Sequence, residues 1–163
     1  IAMVRQTGCD GVVVGRGCLG RPWLFTDLAA AFAGSPARVR PGLGEVVAVM
    51  RRHAEYLVEF YDGDELRGCR DIRKHVAWYL KGFPAGSTVR NRLALVDSLA
   101  ALDALVAGLD LSAPWPGPDA EGPRGRAGSP RVVALPERWL DSRELDAAQA
   151  ASVAQAELSV SGG

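Results

Sequence analysis

The chain has 163 residues, 48% of them hydrophobic, and its 19 basic and 19 acidic side chains leave no formal net charge. That suffices for one domain of ordinary size with a core, and the balance of charge points neither toward nucleic acid nor away from it. Three cysteines without C-x-x-C spacing and the lack of any 18-residue apolar run exclude a disulfide framework, a structural zinc site and a membrane-spanning helix; no metal or membrane partner is expected, and the composition suits a cytoplasmic protein.

In chain order, residues 1–6 read as the last turn of an amphipathic helix, and Thr7-Gly8-Cys9-Asp10-Gly11 as a turn. The text opens on Ile and in mid-pattern, which reads as the C-terminal portion of a longer protein. Val12-Val13-Val14 is a continuously apolar, β-branched run of the kind buried on both faces of a parallel sheet. Gly15 to Gly20 is a glycine-rich loop. Pro22 suits the first position of a helix, which "PWLFTDLAAAF" continues to a stop at Gly34-Ser35-Pro36.

The next segment changes class. Gly44 to Tyr61 places Val46, Val47, Met50, Ala54, Leu57, Val58 and Tyr61 near helical spacing and stops at Asp62-Gly63. Leu66 to Leu80 carries Leu66, Cys69, Ile72, Val76 and Leu80 on one stripe. Ser87 to Ala107 repeats the pattern with Leu95, Val96, Leu99, Leu102 and Val106, closed by Gly108 as a C-cap. Three helices of 15 to 21 residues with short loops predict a small bundle. Basic charge gathers here, with nine Arg or Lys against six Asp or Glu from Arg51 to Arg92, so any polyanion-binding surface belongs to this span.

Residues 112–130 contain five prolines and four glycines and read as a linker. Beyond them the sequence offers one Ala-rich helix, from Ser142 to about Leu158, within an acidic, disordered tail on which Trp139-Leu140 would be the docking point.

"VVVGRGCLGRPW" contains a literal G-x-G-x-x-G in Gly15, Gly17 and Gly20, the fingerprint of a dinucleotide-binding unit. That unit needs a second strand and an acidic residue about 20 positions on to hold the ribose. Arg38, Val39 and Arg40 occupy that position and only helices follow, so the context fails. The alternative is the last strand of a (β/α)8 barrel, whose following loop and short helix hold a phosphate. Gly15 would let the backbone approach the anion, free N–H groups would bind it, and Arg16 would add charge. A plain strand-to-helix turn with a solvent-facing Arg is the other reading of the same glycines.

"TGCDGVVVGRGCLGRPWLF", residues 7–25, resembles the end of the barrel in tRNA-dihydrouridine synthases of the bacterial B-type group. "RKHVAWYLKGFP", Arg73 to Pro84, followed by "RNRL", Arg90 to Leu93, is similar to the helical-domain motif of the same family. The likeness runs from residue 1 to about residue 109. It implies an α/β fold in which residues 1–34 are the end of an FMN-binding TIM barrel, 35–110 an all-α tRNA-binding domain and 111–163 a Pro/Gly-rich linker and tail. It implies an oxidoreductase that uses FMN, with NADPH as reductant, to reduce uridine to 5,6-dihydrouridine in tRNA.

Residue by residue, the resemblance carries the FMN phosphate contact to Gly15 and Arg16, with Gly17 and Gly20 shaping the loop. The basic stripe Arg67, Arg70, Arg73 and Lys74, with His75, becomes an RNA contact; the same charges also fit a solvated face paired with Asp64, Glu65 and Asp71, and His75 also fits packing. Arg21, Pro22 and Trp23 would join barrel to bundle, Trp23 and Phe25 burying large apolar areas. None of the three cysteines stands in the family's catalytic context, so no residue here is assigned as catalytic, and the chain by itself is expected to be inactive. An autonomous helical RNA-binding module without chemistry is the competing hypothesis.

Overall fold

The apolar stripes of the sequence fold into helices in the computed structural model, which describes residues 1–122, 124, 144, 146–151 and 153. Helix α1 is Ala2–Thr7, closed by Gly8 in the left-handed conformation, and α2 is Leu24–Phe32, ended by the turn at Gly34. Helix α3 is Leu43–Phe60, α4 is Glu65–Tyr79, α5 is Ser87–Leu93 and α6 is Leu99–Val106. Short 3₁₀ turns occur at Arg16–Cys18 and Gly117–Glu121.

The core is built from α3 onward. Leu43, Val46, Met50 and Ala54 of α3 meet Ile72, Val76 and Tyr79 of α4, and Leu93, Val96, Leu102 and Val106 complete the cluster. Asp62, at positive φ, and Gly63 reverse the chain between α3 and α4, as their place in the sequence suggests. The two helices cross so closely at Gly68 that a Cβ there would lie 2.7 Å from Val58 Cγ2 and N. Cys69 is buried in the same seam, where burial pushes its thiol pKa up, the behaviour of a packed apolar group rather than a nucleophile.

Three features depart from the sequence reading. Val12–Val14 forms no strand, no strand occurs among the described residues, and Val13 is 98% exposed. A parallel strand takes its stability from neighbours on both edges, and the described residues supply none. The helix expected from Ser87 to Ala107 is two helices. The chain breaks at Leu95–Ser98, where Ser98 Oγ accepts the Ala101 amide and Glu65 of α4 accepts the Leu99 amide. Leu95, placed on the apolar stripe by a continuous helix, is 72% exposed instead.

The third departure is the segment read as a linker. As far as Gly122 and Arg124 it is a strap folded onto the bundle. The first amides of α3 donate into it, Leu43 N to Ala113 O at 2.9 Å and Gly44 N to Leu111 O at 3.0 Å. Trp115 stands edge-on between Trp23 and Phe83, at 6.4 and 6.3 Å between ring centres. Residues Ile1–Gly125 form one compact unit. In the second unit, Arg126–Gly163, residues 147–151 and 153 are helical, in keeping with the helix expected there, while Trp139-Leu140 lies outside the described residues.

The crossing at Gly68 is the sharpest packing constraint. Gly68→Val should cost about 1–3 kcal/mol by overpacking, read as a lower urea midpoint by far-UV circular dichroism of the full chain; an unchanged midpoint would mean that α3 and α4 do not meet there.

Candidate functional site

The turn after Val14 is organised to hide its carbonyls and leave its first amides free. Gly15 O accepts Cys18 N at 3.4 Å and Cys18 Sγ at 3.2 Å, and Arg16 O accepts Leu19 N at 3.1 Å. Arg21 takes two more, its Nε donating to Gly17 O at 2.8 Å and its amide to Cys18 O at 2.9 Å. Leu19 O is held by Arg124 Nε at 2.6 Å. The amides of Gly15, Arg16 and Gly17 donate to no described residue. Gly15 and Arg16 are exposed, nothing stands within 4 Å of where a Gly15 Cβ would lie, and the Arg16 guanidinium has no partner among the described residues. Three successive unpaired N–H groups beside an unengaged guanidinium suit a phosphate dianion.

Gly20 does more than shape the loop. At φ 65°, it lies against the end of α4, where a Cβ would overlap the Trp78 carbonyl and the Tyr79 amide. The turn therefore rests on the bundle. Of the two aromatics expected to bury large apolar areas, Trp23 is half-buried and Phe25 is exposed.

Between turn and bundle lies a cleft of about 400 Å³, walled by Cys18, Pro22 and Phe25, by Arg52, His53 and Tyr56 of α3, and by His75 and Tyr79 of α4. His75 stands edge-on to His53 at 4.8 Å and to Trp78 at 5.3 Å. His53 Nδ1 lies 3.1 Å from the Tyr79 hydroxyl. Burial lowers the pKa of both histidines and pushes Tyr79 up to about 12, so near pH 7 the cleft is lined by neutral rings. His53, Tyr79, Tyr56 and Arg52 escaped the sequence reading; the only signal was that His53 and His75 sit on the inner edges of two adjacent amphipathic stripes.

The basic stripe on α4 separates into two kinds of residue. Arg67, Arg70 and Lys74 are exposed. Arg67 stacks on the Tyr61 ring at 4.3 Å, and Lys74 pairs with Asp71 at 2.5 Å. Arg70 pairs with no described residue. Arg73 instead turns inward, donating to Val96 O at 2.6 Å and Leu95 O at 2.9 Å, where it ties the break between α5 and α6 to α4. No helix among the described residues is long and apolar enough to cross a membrane, and none of their His, Cys, Asp and Glu side chains form a group of three or more that could hold a metal ion.

The family model for dihydrouridine synthase (Dus) matches residues 1–110. A probable tRNA-dihydrouridine synthase of Mycobacterium leprae (strain TN) is 60% identical over 140 residues, covering 86% of this chain and 36% of that protein. One from Mycobacterium tuberculosis (strain ATCC 25618 / H37Rv) is 57% identical, covering 86% and 35%. tRNA-dihydrouridine synthase B of Pasteurella multocida (strain Pm70) is 38% identical over 85 residues, covering 52% and 25%. The chain thus spans about a third of the length of the mycobacterial relatives. No solved structure matches it significantly.

The two half-buried histidines set a pH dependence. Their folded pKa values lie below the ordinary 6.5, so the unfolded chain binds more protons below that pH. Their contribution to stability is complete above pH 6.5 and is lost as pH falls through the folded values. Urea unfolding of the chain between pH 7.5 and 5.5 should show stability dropping toward acid, with a flatter slope in the double variant His53→Asn/His75→Gln. Equal slopes in the two proteins would place both rings in solvent.

Proposed function

The chain belongs to the dihydrouridine synthase family, and from that premise we propose that it is the C-terminal portion of a flavin-dependent tRNA-dihydrouridine synthase, which reduces uridine to 5,6-dihydrouridine in tRNA with NAD(P)H and FMN. The observation that carries the reading is the family-model match over residues 1–110, which takes in both the glycine turn and helices α3–α6, together with 60% identity to the Mycobacterium leprae relative over 86% of the chain. In this reading residues 1–34 are the end of the FMN-binding barrel and 35–110 the tRNA-binding domain. Ile1, Met3, Val13, Phe25 and Phe32 are exposed apolar side chains that further barrel elements would cover.

Bound FMN supplies the hydride for the uracil ring. This chain's part is to hold and to orient. Gly15 offers open backbone and Arg16 a free guanidinium to the flavin phosphate. Arg67, Arg70 and Lys74 present charge to the RNA backbone along the exposed face of α4, as contacts that position without reading sequence. Arg73 sets the elbow beside that face, and His75 offers a neutral ring at the cleft to an unpaired base. No catalytic residue is assigned, and residues 1–163 alone are proposed to be inactive.

Two variants of the full-length enzyme test this. Arg16→Ala should weaken FMN retention about tenfold or more, as for loss of a charge-assisted bond of ~1.5–3 kcal/mol; unchanged flavin occupancy at micromolar protein removes Arg16 from the site. Arg67→Glu/Arg70→Glu should weaken tRNA binding in gel shifts and lower the slope of log affinity against log salt by about 1 for each phosphate no longer neutralised. Unaltered affinity makes the stripe a solvated face. An autonomous RNA-binding bundle, which the concentration of the core in residues 43–113 also permits, predicts the tRNA effect without any flavin effect.

A further inference from the structure

The strap that follows α6 reaches back across the chain to the glycine turn. Arg124 is 9% exposed, and its guanidinium is spent on main-chain carbonyls: Nε on Leu19 O at 2.6 Å, Nη2 on Ala120 O at 2.6 Å and Nη1 on Gly122 O at 3.2 Å. Two acceptors lie in the strap itself, and the third closes a turn more than 100 residues upstream. A planar fork serves three carbonyls in fixed directions, which a lysine cannot. The strap is a firm support. It caps α3 through Leu111 and Ala113, packs Trp115 against Phe83, and lies so close to Gly82 that a Cβ there would stand 3.0 Å from the Ala120 amide.

We propose that Arg124 is a positioning residue for the flavin phosphate: by holding the Leu19 carbonyl, it fixes the Arg16–Cys18 turn with its carbonyls masked and its leading amides open to the anion. This rests on reading Gly15 and Arg16 as the phosphate cradle. An unpaired carbonyl near the cradle would repel a dianion, and the carbonyls of residues 15 to 19 are each engaged, Leu19 O by Arg124. Leu19 also closes the turn through its own amide on Arg16 O, so the peptide planes on both sides of its Cα are anchored, one within the turn and one by Arg124. The strap lies beyond residues 1–110, the span of the family model.

The test uses the full-length apoprotein, titrated with FMN and, separately, with riboflavin, which lacks the phosphate, by quenching of flavin fluorescence. Arg124→Ala should raise the FMN dissociation constant about tenfold, as for one buried charge-assisted bond, and leave riboflavin within about twofold. Arg90→Ala is the comparison, because Arg90 holds Leu80 O and Phe83 O within the bundle; it should lower stability and keep the ratio of FMN to riboflavin affinity unchanged. If Arg124→Ala does not fold, Arg124→Gln, which keeps the stem and loses the charged fork, should shift the same ratio. An unchanged ratio in the folded variant overturns the proposal. Arg16→Ala separates the two failures: if it weakens FMN while the Arg124 variant does not, the strap inference alone falls. If neither changes FMN binding, the cradle reading falls with it.

Discussion

Residue 20 can carry no side chain, because the turn that begins at Gly15 runs directly over the main chain where α4 ends. The close approach fixes two things at once. It excludes a side chain at residue 20, where glycine also adopts the positive φ without strain, and it seats the loop against the end of α4. Everything on the near side of the turn follows from that contact. The cleft exists because Cys18, Pro22 and Phe25 are held at a set distance from α3 and α4, and half-buried His53 and His75 line it beside buried Tyr79.

Six of the arginines sort into two jobs by what surrounds the guanidinium. Arg73, Arg90 and Arg124 face inward onto main-chain carbonyls, satisfying acceptors that chain breaks and helix ends leave over. Arg73 and Arg124 join segments far apart in sequence and Arg90 joins α5 to the end of α4, so each behaves as a cross-link that happens to be charged. Arg16, Arg67 and Arg70 face outward with no carboxylate pairing among the described residues, and their charge is available to an anion. Lys74 lies between the classes, exposed but paired with Asp71, whose carboxyl the ammonium holds below its ordinary pKa. A net charge of zero hides this division, because inward arginines count the same as outward ones.

Local signals carried the sequence reading where local physics decides. The α3 stripe, the reversal at Asp62-Gly63 and the ends of α2 and α4 needed only periodicity and glycine, and the structure keeps them within a residue or two. The reading failed where a tertiary bond outweighed a local preference. From Ser87 to Ala107 the apolar spacing is continuous, and the break at Leu95–Ser98 is stable because Glu65 and Arg73, both on α4, supply a donor's partner and two acceptors' partners there. Ser98, inside that run, caps α6 by accepting the Ala101 amide. Proline and glycine in residues 112–122 marked turns, and turns can pack as well as wander; Trp115 was the one residue whose apolar area spoke for packing. The stripe on α4 gave the positions of five candidate contacts, but not that Arg73 alone among them bends back onto carbonyls.

Val12–Val14 and the turn after it make an instructive contrast. The three valines have no neighbouring strand among the described residues, and the middle one is almost wholly in solvent. The turn one residue later is fixed from three sides: by its own hydrogen bonds, by the α4 backbone beneath Gly20 and by Arg124 at Leu19. Its geometry therefore owes nothing to the sheet that such a run would join. Under the proposed reading, a phosphate loop must hold its amides in place whether or not the anion is present, since ordering them on binding would cost affinity. Support from the bundle and the strap meets that need, and it leaves the face with Gly15 and Arg16 as the side of the turn open to a ligand.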